Sequence, residues 1–308
     1  MLQIQCQTEK EWLEQRRTLG IGASEAAVIV GVSHFKSPYQ LWHEKLGLQV
    51  QSDEETEAQE WGKTLEEPLA RKYARVTKRP VHTPPPYLIL QHEQYPWMTC
   101  TLDRLITIPE RPEIVKPVPL EIKTAHWLLK GNWKEEPPIE YIVQVQHQLA
   151  VTDAPLGSIG ALVGGQEFLW CDIARDEDFI IQLREVERVF WESLKTGTPP
   201  PIDGTDATRA TLKALYARDT GDCATLGGDA IEWDNDLLAI KERIKAVNHP
   251  LKREEARLEN LFIAAIGHAS AATLPNGVVY TYRTTDRAGY SVQPTSFRSL
   301  RRKGGPKK

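Results

Sequence analysis

The sequence predicts an α/β fold with a mixed central sheet flanked by helices. Two groups of apolar, β-branched runs, near residues 87–124 and 158–173, are bounded by proline and glycine and read as strands. Between them lies an amphipathic stretch at helical period, and longer helical stretches precede and follow. Alternation of these two periods along one chain is the pattern of a sheet covered by helices.

The first helix is expected over residues 8–19, and Gly20-Ile21-Gly22-Ala23 ends it before a short apolar helix from Ser24 to about Val30. Ser37-Pro38 opens the next one, with serine as N-cap and proline in the first turn, where no intrahelical N–H is needed; Gly47 stops it. A long helix then runs from about Glu54 to Thr77. After Pro84-Pro85-Pro86, strands are expected at about Tyr87–Leu90, Trp97–Ile108 and Pro119–Thr124. A helix over about Ile139–Val151 precedes strands near Ser158–Val163 and Glu167–Ile173, and another helix spans about Asp176–Leu194. The run Thr198-Pro199-Pro200-Pro201 marks a boundary between a core domain, residues 1–200, and a C-terminal extension, residues 201–308. The extension is expected to hold a helix near Ala207–Arg218, two helices joined at His249-Pro250, a hairpin of Ala272–Leu274 and Val278–Tyr282 around Asn276-Gly277, and a basic tail.

At 308 residues, 26% charged and 41% hydrophobic, the chain has the make-up of a soluble protein with a sizeable core. It has no apolar run of membrane-spanning length, and its N-terminus lacks the basic and apolar regions of a signal peptide, so a cytoplasmic protein without a membrane partner is expected. The four cysteines, Cys6, Cys100, Cys171 and Cys223, form no Cys-x-x-Cys pair and suggest neither zinc site nor disulfide framework. A net charge of −4 does not exclude a nucleic-acid partner, because binding depends on local basic patches. Arg16-Arg17 and the C-terminal Arg298, Arg301, Arg302, Lys303, Lys307 and Lys308 are such clusters.

The strongest chemical pattern is Asp103 followed by Glu121-Ile122-Lys123. The strand period of two puts Glu121 and Lys123 on one face and turns Ile122 towards a core. If the two strands pair, Asp103 and Glu121 can hold one hard cation, with a backbone carbonyl and waters completing the shell at about 2.0–2.1 Å for Mg²⁺. A bound water then becomes the nucleophile, and Lys123 orients it or stabilises developing charge: a metal-dependent phosphodiesterase site. Two helices border this site. Trp61, Gly62, Leu65, Leu69 and Tyr73 form one stripe, with Glu66 at its border and Glu67 on the opposite side. In the later helix Tyr141, Gln144 and Gln148 make a polar stripe beside the apolar one of Ile142, Val145 and Leu149.

Six motifs follow in order: Arg17-Thr18-Leu19-Gly20-Ile21-Gly22-Ala23-Ser24-Glu25, Ser37-Pro38-Tyr39-Gln40-Leu41-Trp42, Gly62-Lys63-Thr64-Leu65-Glu66, Thr101-Leu102-Asp103, Glu121-Ile122-Lys123-Thr124, and Tyr141-Ile142-Val143-Gln144-Val145-Gln146-His147-Gln148. Over roughly residues 10–200 this resembles the YqaJ-type viral recombinases, the family of the phage lambda exonuclease. The resemblance implies a PD-(D/E)xK, restriction-endonuclease-like core. It implies metal binding by Asp103, Glu121, the Ile122 carbonyl and, for a second ion, Glu66. Lys123 would position the attacking water, with Gln144 close to it. Arg17, Ser24 and Thr101 would form a pocket for a DNA 5′-phosphate. Glu67 stands where the family commonly has proline, and Arg104 where it has glycine.

The implied activity is a Mg²⁺-dependent 5′→3′ exonuclease with two ions per site, Mn²⁺ being an alternative. It would digest linear duplex DNA processively to mononucleotides and leave a 3′ single strand. The implied partners are DNA ends bearing a 5′-phosphate and a single-strand annealing protein, with the enzyme a homotrimeric ring encoded by a phage or prophage in a bacterial cytoplasm. Two other readings are a restriction-type or Cas4-like endonuclease, the latter disfavoured by the scattered cysteines, and a non-catalytic DNA-binding module.

Overall fold

The computed structural model describes residues 1–48, 56–127, 133, 136–216, 231–246, 271–273 and 279–281. The chain divides into two compact units, Met1–Tyr216 and Ala217–Lys308. The first contains, in order, β1 (Leu2–Gln5), α1 (Glu9–Thr18), α2 (Ala23–Ile29), α3 (Pro38–Lys45), α4 (Glu57–Thr77), β2 (Val81–His82), β3 (Leu88–Gln91), β4 (Thr99–Cys100), β5 (Arg104–Ile106), β6 (Val118–Ala125), α5 (Ile139–Thr152), β7 (Leu156–Val163), β8 (Glu167–Ala174), α6 (Glu177–Thr196) and α7 (Asp206–Leu215). In the second, a helix covers 231–246, and β9 (Ala271–Thr273) pairs antiparallel with β10 (Val279–Thr281), the expected hairpin. The expected turn at Asn276-Gly277, the helix junction at His249-Pro250 and the basic tail lie outside the described residues.

The central sheet has strand order β2-β5-β6-β7-β8. Its β6–β7 pair is parallel and its other pairs are antiparallel, so the sheet is mixed as expected. A parallel pair needs a crossover, and α5 supplies it between β6 and β7. Glycine at 157 lets this helix approach the sheet: a Cβ there would stand 2.9 Å from Val145 Cγ1. Leu120, Ile122, Val145, Leu149, Ile159 and Tyr73 pack together in the resulting core. A second, antiparallel sheet has the order β1-β3-β4.

Helix termini follow the sequence signals. Ser37 Oγ accepts from the Gln40 N–H at 3.1 Å with Pro38 at the first position, and Asp176 accepts from Phe179 N–H. Thr56 and Gln59 close a capping box on α4, whose first residue is Glu57 where the sequence pointed to about Glu54.

Three departures matter. The strands β1 and β2 escaped the sequence reading because at four and two residues they are too short to show a clear period. The single strand expected over Trp97–Ile108 is two, because β4 bonds to β3 in one sheet and β5 to β6 in the other. Thr101-Leu102-Asp103 carry the chain across that corner. Finally, α7 belongs to the first unit although it lies beyond residue 200, and Thr208 Oγ1 donates to Ser37 Oγ at 2.8 Å in a buried contact with α3.

Candidate active site

Asp103 sits at the corner between the sheets, and one carboxylate oxygen replaces a missing strand partner. Its Oδ2 accepts the Ile122 N–H at 2.9 Å, where β5 has stopped pairing with β6. In extended backbone the N–H and C=O of one residue leave the same strand edge, so the Ile122 carbonyl faces the Asp103 side as well. The Ile122 side chain is buried in the core, while Glu121 and Lys123 share the other face, as period two requires.

Glu121 is 2% exposed, and its carboxylate is held from three directions. Lys123 Nζ lies 2.6 Å from Oε1, Gln144 Nε2 donates to Oε1 at 2.6 Å, and Gln148 Nε2 donates to Oε2 at 2.6 Å. Lys123 also lies 5.2 Å from the centre of the Tyr141 ring, a cation–π contact. Burial and then the neighbouring Glu121 charge push the Asp103 carboxyl well above the usual range. Burial pulls Lys123 down, but the charges of Glu121 and Asp103 outweigh it and raise it overall.

These groups face a cavity of about 470 Å³ whose lining includes Glu66, Asp103, Arg104, Glu121, Lys123 and Gln144, and also Arg16, Ser24 and Thr101. The structure thus brings eight of the nine expected site side chains or backbone groups to one place: Asp103, Glu121, Ile122, Lys123, Gln144, Glu66, Ser24 and Thr101. Arg17 is the exception. It is exposed, with Nη1 towards Gly47, whereas Arg16 lines the cavity. One residue along a helix is a rotation of about 100°, and Arg16, not Arg17, lies one turn after Trp12, whose ring centre its guanidinium faces at 4.5 Å. Burial lowers the Arg16 pKa, and the charges of Glu25, Asp103 and Glu121 act against that shift. The sequence signal for Arg16 was the Trp12 spacing on α1.

In the sequence Arg104 stood out only as a replacement for the family's glycine, with no role at the site. Its buried guanidinium bonds the Glu66 carboxylate and reaches Glu67 Oε2 at 3.0 Å, bridging adjacent acids of α4. Glu67 also bonds Arg71 Nε at 2.8 Å, an (i, i+4) pair. Glu66 is therefore at the cavity but already engaged by a cation.

The donor set suits a divalent ion. Among the described residues no group of three or more His, Cys, Asp or Glu is gathered as a metal site, and Mg²⁺ needs only one or two carboxylates because it keeps several waters. Among the described residues, Asp103 Oδ1 and one lone pair on Glu121 are left without a partner, and the Ile122 carbonyl faces the Asp103 side. Arg16 lines the same cavity, and a guanidinium is the side chain best suited to bidentate contact with a phosphate.

Residues 11–155 match the YqaJ-like viral recombinase domain. The chain is 32% identical over 255 residues to an uncharacterized protein, YqaJ, of Bacillus subtilis (strain 168), covering 81% of this chain and 77% of that protein. Among solved structures, an alkaline exonuclease from Laribacter hongkongensis has a TM-score of 0.48 at 18% identity, covering 68% of this chain and 100% of that one. A phage-related exonuclease from Haemophilus somnus 129PT has a TM-score of 0.43 at 14% identity, covering 58% of this chain and 96% of that one.

Proposed function

Since the chain belongs to the YqaJ-like viral recombinase family, we propose that it is a Mg²⁺-dependent exonuclease that digests linear duplex DNA from the 5′ end. The observation that supports this reading is that Asp103, Glu121 and Lys123 line one cavity together with Arg16, Ser24 and Thr101. Carboxylates for a cation and a guanidinium for a phosphate are the two halves of a phosphodiester-cleaving site.

Asp103, Glu121 and the Ile122 carbonyl would hold the ion. A bound divalent cation lowers the pKa of a water and neutralises charge on the phosphoryl group under attack. Lys123, fixed by Glu121 and Tyr141, offers its remaining N–H groups to the attacking water and to a non-bridging phosphate oxygen. Gln144 holds Glu121 beside it. Arg16, with the hydroxyls of Ser24 and Thr101, binds the terminal 5′-phosphate through charge-assisted hydrogen bonds. Each cut releases a mononucleotide and leaves a new 5′-phosphate for the same pocket, which supports processive digestion. Glu66, which would help to hold a second ion, is bonded to Arg104 in the ion-free protein. The surviving 3′ strand is the substrate of a single-strand annealing partner, and the working assembly is a homotrimer in the cytoplasm of a phage-bearing bacterium. Among the described residues no helix is long and apolar enough to cross a membrane.

The test is a time course on end-labelled linear DNA with Mg²⁺ or Mn²⁺. Duplex with a 5′-phosphate should be degraded faster than duplex with a 5′-hydroxyl, releasing mononucleotides from the 5′ end, while closed circles survive. Lys123→Ala should lower cleavage by about 10²-fold or more and leave DNA binding intact. Arg16→Gln should erase the 5′-phosphate preference, and Arg17→Gln should not. Nicking of closed circles would point to an endonuclease, and absence of cleavage with either ion to a binding module.

A further inference from the structure

We propose that Gln148 is a positioning residue that aims one oxygen of Glu121, Oε2, at the metal ion. The inference rests on the proposed metal-dependent reading of this site and names the coordinating oxygen. A carboxylate has about four lone-pair positions, two on each oxygen. On Glu121, Oε1 takes Lys123 Nζ and Gln144 Nε2, each at 2.6 Å, and is full. Among the described residues Oε2 takes only Gln148 Nε2, also at 2.6 Å. The position left for a cation is the second one on Oε2, and its direction is set by the bond that Gln148 makes to the first.

Gln148 does this from behind the site. It is 1% exposed and does not line the cavity, whereas Gln144, one turn earlier on α5, does. Tyr141, Gln144 and Gln148 occupy positions i, i+3 and i+7, a single stripe that meets Lys123, Oε1 and Oε2 in turn. The neighbouring residues anchor the helix independently. Gln146 bonds the Ala174 carbonyl and the Asp176 N–H, and His147 bonds Glu187 and the Thr99 carbonyl. Gln148 is thus not needed to seat α5. Its own Oε1 is buried with no partner among the described residues, a cost that an apolar side chain would avoid. What the amide supplies is the hydrogen bond to Oε2. Groups that orient a metal ligand in this way commonly change metal affinity by about 10–100-fold when removed.

The test compares wild type with Gln148→Met, which keeps the length and removes the donor. Titration calorimetry of the DNA-free protein with Mn²⁺ should give a Kd at least about tenfold weaker for the variant. The ion concentration that half-activates cleavage should rise by the same factor, while the plateau rate at saturating ion and DNA binding in EDTA stay near wild type. A residue that merely packs would lower the plateau at every ion concentration and leave the Kd alone. That outcome, or an unchanged Kd and midpoint, overturns the inference while the metal site stands. If wild type itself shows neither ion binding nor activation by a divalent ion, the reading of the site fails and this inference with it. Should Gln148→Met not fold, Gln148→Asn withdraws the same donor by one methylene; its Kd and midpoint should move in the same direction, and an unmoved pair overturns the inference.

Discussion

The site is assembled from residues whose charges conflict before any cation is bound. Asp103 and Glu121 share a buried cavity, and burial together with the Glu121 charge holds the Asp103 carboxyl well above its usual range. Asp103→Asn should therefore raise the melting temperature of the protein in EDTA, at about 2–4 °C for each kcal/mol of relieved repulsion in a unit of this size, while abolishing cleavage. The amide oxygen introduced by that substitution can still accept the Ile122 N–H, so the corner should survive. Differential scanning calorimetry checks this, and a melting temperature that falls would mean that the two carboxylates do not strain the ion-free site. Glu121 and Lys123 were legible in the sequence because strand period alone puts them on one face. The role of Arg104 was not, because its partners lie 37 and 38 residues away on α4.

At the scale of elements, α5 ties the arrangement together, bonding β6, β8, α6 and β4 through consecutive side chains. His147 is fully buried, with Nδ1 2.7 Å from Glu187 Oε1 and Nε2 2.9 Å from the Thr99 carbonyl. Two acceptors facing both ring nitrogens call for the doubly protonated imidazolium. Burial lowers its pKa, but the Glu187 charge and hydrogen bond and the Thr99 carbonyl outweigh that and raise it overall. Glu25 of α2 also favours the charged ring, and Glu25 is itself paired with Lys45 of α3 at 2.7 Å. A raised folded value means that this stabilisation is complete below the unfolded value of about 6.5 and is lost as pH rises through the folded one. The melting-temperature gap between wild type and His147→Gln should accordingly be widest in mild acid and narrow towards alkaline pH. A gap that is constant or widens with pH would mean a neutral ring. The helix itself was readable from its 3.6-residue period, but its apolar stripe could not say that Gln146, His147 and Gln148 would all be buried.

Over the whole chain, the first compact unit ends at Tyr216, and α7 closes it through the buried Thr208–Ser37 hydrogen bond against α3. A fragment of residues 1–216 should melt in one cooperative transition, and one of residues 1–200 should melt lower, because it exposes Ser37 and the adjoining face of α3. Equal melting temperatures would place the boundary at the proline run. The proline run marks a turn in the backbone, and a turn does not reveal whether the helix after it packs back. By itself the sequence determined the helices and the longer strands of the core, that Glu121 and Lys123 face one cleft, and that six motifs occur in one order, since periodicity and spacing are local properties of the chain. Only the tertiary structure decided that Asp103 lies at a corner between two sheets, that Arg16 rather than Arg17 enters the cavity, and that Arg104 grips Glu66. Each of these depends on the angle at which distant elements meet, and a pattern read along one segment carries no record of that angle.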